Sequence, residues 1–313
     1  MSTRSLSATI PAELAGQRLD RALAEVFPDF SRARLQQWLK QGRITVDGRT
    51  PPGKTRIAGG ERVALDVAAE PAAETFAAED LPLEVVHADE GLIVIDKPAG
   101  LVVHPAAGNW SGTLLNALLH HFPELAGVPR AGIVHRLDKD TTGLLVVARN
   151  LTAHQRLVAD LQARRVHREY LALVQGELVA GGTIDAPIGR HPVDRKRMAV
   201  VRGGKPAVTH YRVRERLPGH TLLAVRLETG RTHQIRVHLA HRRHPIVGDP
   251  VYGGRLRLPP GASEAARRAL AGFSRQALHA CRLALRHPLS GEEMAWTSPL
   301  PADFRDLLAA LAA

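Results

Sequence analysis

Apolar residues recur along this chain at two different intervals. Near the N-terminus Leu19, Ala22, Leu23, Val26 and Phe27 return every three or four residues, the pattern of one buried helix face. Pro28 cannot continue that helix. Ser31 has the side chain of an N-cap for a second helix, SRARLQQWLKQ, and Gly42 can close it. In that helix Leu35, Trp38 and Leu39 share the apolar side. Arg32, Gln36 and Lys40 step along the opposite side at four-residue intervals, with Arg43 just beyond. RITVDGR and ERVALDV then change to strand-like runs, with Asp47-Gly48 as a turn signal.

The longer remainder alternates strand-like and helix-like segments. LIVIDKPAG is an apolar run meeting a Pro/Gly stop, GTLLNALLHHF has helical spacing, and LLVVARN is a second apolar run. AHQRLVADLQARR is amphipathic, with Leu157 and Leu161 four apart. EYLALVQGEL and TLLAVRLE read as strands, and FRDLLAALAA sets Phe304, Leu307, Leu308 and Leu311 on one face. No strict repeat appears, and no Gly-x-Gly-x-x-Gly follows a strand, so the expected class is α+β rather than doubly wound. Residues 67–82, VAAEPAAETFAAEDLP, are Ala/Pro/Glu-rich and acidic, and read as a linker. The predicted organisation is a tail over residues 1–16, a small α/β domain over 17–66, the linker over 67–82, and a large domain over 83–313.

Composition narrows the class. With 313 residues, 44% hydrophobic and 23% charged, the chain has the balance of a folded globular protein. No apolar run is long enough to span a bilayer, and MSTRSLSATIPAEL lacks a hydrophobic signal core, so a cytoplasmic protein is expected. Cys281 is the single cysteine, which leaves no intramolecular disulfide and no Cys-rich zinc site. The net charge of +11 favours a polyanionic partner, because neutralised phosphates release counterions. Aromatic residues make up only 4%, too few for a long base-stacking platform.

Two motifs mislead. Gly48-Arg-Thr-Pro-Pro-Gly53-Lys54-Thr55 matches the phosphate-loop pattern, yet two prolines remove amide donors and a turn and strand follow where a helix is required. No nucleotide cofactor site is expected there. His233, His238, His241 and His244 are close in sequence, but Arg236, Arg242 and Arg243 are interleaved and would repel a divalent ion. Helix packing or a basic, polyanion-facing surface accounts for them better than a metal.

The densest chemistry lies in GIVHRLDKDTTGLLVVARN, residues 132–150. Apolar runs enclose His135, Arg136, Asp138, Lys139 and Asp140, and charges beside buried strands are costly unless paired or used. Asp138 and Asp140 are two residues apart and point to opposite sides in extended chain. From this segment alone they are not the facing carboxylates of a glycosidase, and an aspartate capping a turn is the plain alternative. Thr141-Thr142-Gly143 then supplies hydroxyls and a permissive backbone, a loop able to hold one carboxylate rigidly at the mouth of a core.

HRLDKDTTGLLVVA is similar to the H-R-L-D-x-x-T-[ST]-G-[LV] motif of the RluA family of pseudouridine synthases. Supporting segments follow in order: Asp96-Lys97-Pro98-Ala99-Gly100 with His104-Pro105, then Arg168-Glu169-Tyr170-Leu171-Ala172. Further on come residues 228–239, ETGRTHQIRVHL, residues 248–253, GDPVYG, and residues 275–280, RQALHA. The N-terminal pair of helices with its small sheet resembles the S4 RNA-binding domain, so the resemblance covers nearly the whole chain.

The resemblance implies a catalytic domain built on a mixed, mainly antiparallel sheet. It implies isomerisation of uridine to pseudouridine, in which the N1–C1′ bond breaks, the base turns over and C5 joins C1′, with no cofactor or metal required. It assigns Asp138 as the catalytic carboxylate, Arg236 as its basic partner near the start of a helix capped by Thr232, and Tyr170 as the residue stacking on the uracil and a candidate to move the C5 proton. Arg136 is implied to fill the gap left by a flipped base, while His135 and Lys139 read as phosphate or loop contacts. Arg32, Lys40 and Arg43 would contact RNA from the S4-like domain, or form a solvated face. Residues 194–205, DRKRMAVVRGGK, read as an RNA-clamping hairpin or a solvated one. Among family members the chain looks most like those directed to 23S ribosomal RNA of the large subunit or its precursor, at the helix 69 stem-loop. Other rRNA or tRNA uridines, and a non-catalytic ribosome-assembly factor, stay open. No exposed apolar stripe argues for a dimer, so a monomer is expected.

Overall fold

A computed structural model describes residues 4–28, 30, 32–67, 76–105, 109–195 and 197–313. The chain forms two compact units, Met1–Thr75 and Phe76–Ala313.

The first unit contains strand β1 (Arg4–Thr9), helices α1 (Leu19–Val26) and α2 (Arg32–Lys40), and strands β2 (Ile44–Val46) and β3 (Arg62–Val67). Its sheet runs β1-β3-β2 with both pairings antiparallel. Leu19, Leu23, Leu35, Trp38 and Leu39 bury together against Ile44, Val63 and Leu65, so the helical spacings select the core face as expected. Asp47 and Gly48 both adopt positive φ, and the amides of Val46 and Arg49 exchange hydrogen bonds across them, which makes the expected turn. The proposed cap Ser31 lies outside the described residues, as do residues 68–75 of the linker and Lys196 of the basic run.

The expected tail is corrected by β1, which pairs with β3 in register from Arg4↔Val67 to Thr9↔Arg62. Leu6 and Ala8 pack on the core and Ile10 is fully buried, whereas Ser5, Ser7 and Thr9 are exposed. That is a period-two pattern, short enough to be taken for a polar tail. The phosphate-loop look-alike serves the backbone instead: the Gly53 and Thr55 carbonyls accept from the amides of Asp20 and Leu19 at the start of α1.

The second unit contains β4 (Val85–Ala88), β5 (Leu92–Lys97), α3 (Leu114–His121), β6 (Thr142–Ala148), α4 (Leu151–Gln162), β7 (His167–Gln175), β8 (Gly182–Asp185), β9 (Ile188–Arg190) and β10 (Met198–Val200). It continues with β11 (Val208–Leu217), β12 (His220–Leu227), α5 (Gln234–His241), α6 (Glu264–Gly272), β13 (Leu278–Arg286), β14 (Glu293–Thr297) and α7 (Ala302–Ala312). Among the described residues its large sheet has nine strands in the order β4-β5-β6-β13-β7-β12-β11-β8, with β14 paired to β13. Every pairing is antiparallel except β13 with β6, so the sheet is mixed and mainly antiparallel, as the family resemblance implied. β9 and β10 form a separate hairpin.

The continuous apolar runs of β5 and β6 reflect burial on both faces. Ile93, Ile95, Leu145 and Val147 join the main core with α3 and α7, while Leu92, Val94, Leu144 and Val146 pack with Ala153 and Leu157 of α4. At the start of β6 the sheet closes tightly. Gly143 has φ +106, and a Cβ there would lie 2.3 Å from the carbonyl oxygen of Ala280 on β13.

The linker reading is also corrected over residues 76–82. Phe76 packs on the main core and edge-on to His104 at 5.6 Å, Asn116 Nδ2 donates to the Ala77 carbonyl, and the Glu79 amide donates to the Asn116 carbonyl. Ala/Glu-rich composition hid a segment anchored by one aromatic side chain and a buried amide.

Candidate active site

Loops at the β6 end of the large sheet converge on Asp138. The chain turns tightly there, the Thr141 amide donating to the Asp138 carbonyl at 3.0 Å. Three side chains from two separate segments then pin that turn. Lys97 Nζ, fully buried at the end of β5, donates to the carbonyls of Lys139, Pro98 and Leu101 at 2.8, 2.8 and 3.0 Å. Arg275 Nη1 donates to the Asp140 carbonyl, and Gln276 Nε2 donates to Thr141 Oγ1. Burial pulls the Lys97 amine down to about 7 against the opposing charges of Asp140 and Asp138.

The Asp138 side chain is 16% exposed and receives Arg236 Nη1 on Oδ2 at 3.0 Å. Arg236 comes from α5, and its other edge is held by Asp249, Nε to Oδ2 at 2.7 Å and Nη2 to Oδ1 at 2.9 Å. Asp249 is fully buried and also accepts the amides of Val251 and Tyr252. Burial works against both charges of this pair. The mutual hydrogen bonds and attraction outweigh it, so Asp249 stays below the ordinary carboxylate range and Arg236 above the ordinary guanidinium value. A guanidinium fixed by a buried acid thus presents one fixed nitrogen to the partly exposed acid.

Asp138 and Arg236 line a cleft of about 780 Å³, within the span of roughly 300–1,000 Å³ usual for small-molecule sites. Tyr170, on β7 opposite Val225 of β12, lines it with only 5% of its surface exposed. Burial and the nearby Asp138 charge raise its pKa, Arg168 opposing them, so the ring works as a neutral phenol. Arg136 is exposed on the cleft wall.

A scan against family models matches residues 91–241 to RNA pseudouridylate synthase and residues 17–50 to the S4 domain. The chain is 59% identical over 305 residues to ribosomal large subunit pseudouridine synthase D of Pseudomonas aeruginosa, covering 97% of this chain and 95% of that protein. It is 57% identical to the Escherichia coli K12 protein of the same name, covering 97% and 93%. The chain belongs to the RNA pseudouridylate synthase family. Solved structures agree: human RNA pseudouridylate synthase domain containing 4 superposes with a TM-score of 0.58 at 29% identity, over 73% of this chain and 92% of that one. Human RNA pseudouridylate synthase domain containing 1 gives 0.56 at 28%, over 74% and 88%.

For a pseudouridine synthase the arrangement is chemically sensible. A carboxyl group, a fixed guanidinium and a neutral aromatic ring face one cleft of a volume suited to a small ligand. Other expected residues play different parts. His135 is turned into the fold: its Nε2 accepts the Val146 amide at 3.1 Å, and burial with the Arg168 charge lowers its pKa to about 3. It braces β6 as a neutral ring, because the Val146 amide needs an acceptor there, which is the loop contact among the expected alternatives. Lys139 is exposed and outside the cleft lining, contributing its carbonyl to Lys97.

Thr232 does not cap α5. The N-cap is His233, with φ 56 and ψ 23 and no side-chain cap bond. Gln234 supplies the bracing instead, its Oε1 accepting Thr229 Oγ1 and the Arg231 amide. The four clustered histidines serve different partners: His238 bonds Thr209 Oγ1 and the Ala186 carbonyl, His244 the Gln175 carbonyl and His233 the Tyr252 hydroxyl. His241 contributes to the last turn of α5.

In the S4 unit, Arg32 is not free on a polar face. Arg32 Nη2 reaches the fully buried Asp20 at 2.8 Å, joined there by Arg18 at 3.0 Å and Gln36 at 2.5 Å. The Arg18 hydrogen bond leads in holding Asp20 far below the ordinary carboxylate range. Lys40 and Arg43 are exposed, and Lys40 borders the same depression as Arg18, Gln36 and Lys54. Asp20, Lys97, Asp249 and Tyr252 were not singled out from sequence. Lys97, Asp249 and Tyr252 stood in the quoted motifs, and their signal is burial, which single residue types do not reveal.

Proposed function

We propose that this pseudouridine synthase isomerises uridines of large-subunit ribosomal RNA in the cytoplasm, at the helix 69 stem-loop of 23S RNA or its precursor. Relatives at 57–59% identity that are named for the ribosomal large subunit, together with the matching S4 domain, support this substrate. The observation that carries the chemistry is the Asp249–Arg236–Asp138 chain in the cleft.

A uridine in a stem must first leave the stack, at a cost of a few kcal/mol. Arg136, exposed at the cleft wall, fills the vacated gap with its planar guanidinium. Asp138 then engages the sugar, by attack at C1′ as the N1–C1′ bond breaks or by taking a sugar proton, and the freed uracil turns over on the neutral Tyr170 ring. C5 joins C1′ as the Asp138–C1′ bond breaks, or as the abstracted sugar proton returns; C5 loses its proton, N1 gains one, and the carboxylate is regenerated. Arg236 holds Oδ2 of Asp138 in place in a site that the bound nucleotide closes to water. Lys40 and Arg43 recruit the larger RNA through its phosphates. The enzyme acts as a monomer.

Pseudouridine mapping in rRNA and tRNA from a deletion strain tests this reading. Modifications in the helix 69 loop are expected to vanish and to return with the wild-type gene but not with Asp138→Asn. Loss of other rRNA or tRNA modifications instead would reassign the substrate, and full restoration by Asp138→Asn would remove Asp138 from the chemistry.

A further inference from the structure

Of the two carboxylate oxygens of Asp138, Oδ2 takes the Arg236 guanidinium and Oδ1 faces His233 Nε2 at 3.8 Å. That gap is too long for a hydrogen bond and becomes one after a shift of about an ångström. His233 lines the cleft with 22% of its side chain exposed. Its left-handed backbone, φ 56 and ψ 23, is strained for a non-glycine residue, and such strain persists where the surroundings over-determine a residue.

Tyr252 sets which ring nitrogen carries the proton. Its hydroxyl oxygen accepts the Met198 amide at 2.9 Å and lies 2.9 Å from His233 Nδ1. With that amide on its oxygen, the phenol has its own proton to donate to Nδ1. The proton of the neutral imidazole therefore sits on Nε2, aimed at Asp138. Burial lowers the His233 pKa. Asp138 and Asp249 oppose that effect, Arg236 and Arg136 reinforce it, and the ring stays neutral. The Tyr252 ring is itself clamped, with the guanidinium carbons of Arg197 and Arg236 at 5.2 and 5.1 Å from its centroid and His233 edge-on at 5.7 Å.

We infer that His233 is a positioning residue for the isomerisation: its neutral Nε2–H steers Oδ1 of Asp138, and Tyr252 fixes the tautomer that makes this possible. With Arg236 on one oxygen and His233 on the other, the carboxylate plane is set toward the nucleotide. A neutral donor suits the task, because a second cation would lower the basicity of the carboxylate and weaken its attack. The inference rests on Asp138 as the reacting carboxylate.

The test uses the full chain and a stem-loop RNA at saturation, with thermal melting as a folding control. His233→Ala and His233→Leu are expected to lower kcat at least tenfold with KM within threefold. His233→Gln, which keeps a neutral N–H near the Nε2 position, is expected to restore at least a third of the wild-type kcat. Equal kcat for the Gln and Leu variants, or wild-type kcat for His233→Ala, overturns the inference. Asp138→Asn runs alongside. Activity in that variant removes the assignment of Asp138 and this inference with it, whereas an inactive Asp138→Asn beside a fully active His233→Ala removes the inference alone. Nitrogen-15 NMR of histidine-labelled wild-type protein needs no folded variant: protonated Nε2 with bare Nδ1 at His233 is expected, and the reverse tautomer overturns the inference.

Discussion

Asp249 grips Arg236 with both carboxylate oxygens, at 2.7 and 2.9 Å, and so leaves one guanidinium nitrogen committed to Asp138 at 3.0 Å. The fully buried acid touches no solvent, yet it decides where the partly exposed one is held. Asp249→Ala would strand the buried Arg236 charge, and breaking a buried pair from one side costs about 3–5 kcal/mol. The expected outcome is a large fall in melting temperature together with a fall in kcat of about a hundredfold or more, read by calorimetry and by pseudouridine formation at saturating RNA. Asp249→Asn keeps the shape and loses the charge, so it should lose less stability while kcat still falls. Wild-type kcat in a folded Asp249→Asn would show that Arg236 needs no fixed orientation.

Lys97 gives stability a particular pH dependence. Its folded pKa is about 7 against the ordinary 10.5, so between those values the unfolded chain holds a proton that the folded chain has released. The unfolded state then binds more protons, and stability rises with pH across that window, by at most about 1.4 kcal/mol per pH unit. Lys97→Met removes the titration. The stability difference, wild type minus variant, is expected to grow from pH 7 to pH 10 in urea unfolding. A difference that is flat or shrinks across that range would mean the buried amine keeps its ordinary pKa.

Much of this site was legible because its parts sit in long motifs. The roles of Asp138, Tyr170 and Arg236 came through the family resemblance of those motifs, and the structure brings all three to one cleft. Roles that depend on direction were not legible. His135 and Lys139 stand as close to Asp138 in sequence as Arg136 does, yet one ring turns inward to the Val146 amide and the other residue contributes a backbone carbonyl. The same holds for the fold. Helical spacings over α1 and α2 selected the true core, whereas the six residues of β1 carry too short an alternation to outweigh their serines and threonine, and the anchored segment at Phe76 was masked by its Ala/Glu neighbours.

The S4 unit should govern affinity more than chemistry. Lys40 and Arg43 are exposed, while Arg32 is engaged with the buried Asp20. Lys40→Glu with Arg43→Glu is therefore expected to weaken binding to large rRNA fragments and to flatten the slope of log affinity against log salt by about 0.7–0.9 per lost phosphate contact. Turnover of a saturating minimal stem-loop should stay near wild type. Equal losses in both assays would give this unit a part in catalysis.

Gly143 is where the catalytic loop enters the sheet, and its lack of a side chain is structural. At φ +106 only glycine is comfortable, and a Cβ would overlap the Ala280 carbonyl oxygen at 2.3 Å. β6 and β13 form the one parallel pairing of the described sheet, through His279↔Thr142 and Ala280↔Gly143. Any shift that relieves the overlap moves Thr142 and Thr141, and with them the turn that carries Asp138. Gly143→Ala is expected to cost about 3 kcal/mol or more in denaturant unfolding, from backbone strain and overpacking together. It should also lower kcat more than it weakens RNA binding, because the displaced element is the Asp138 turn and the exposed cationic surface is untouched. A Gly143→Ala protein as stable and active as wild type would show that the two strands can separate locally without disturbing the site.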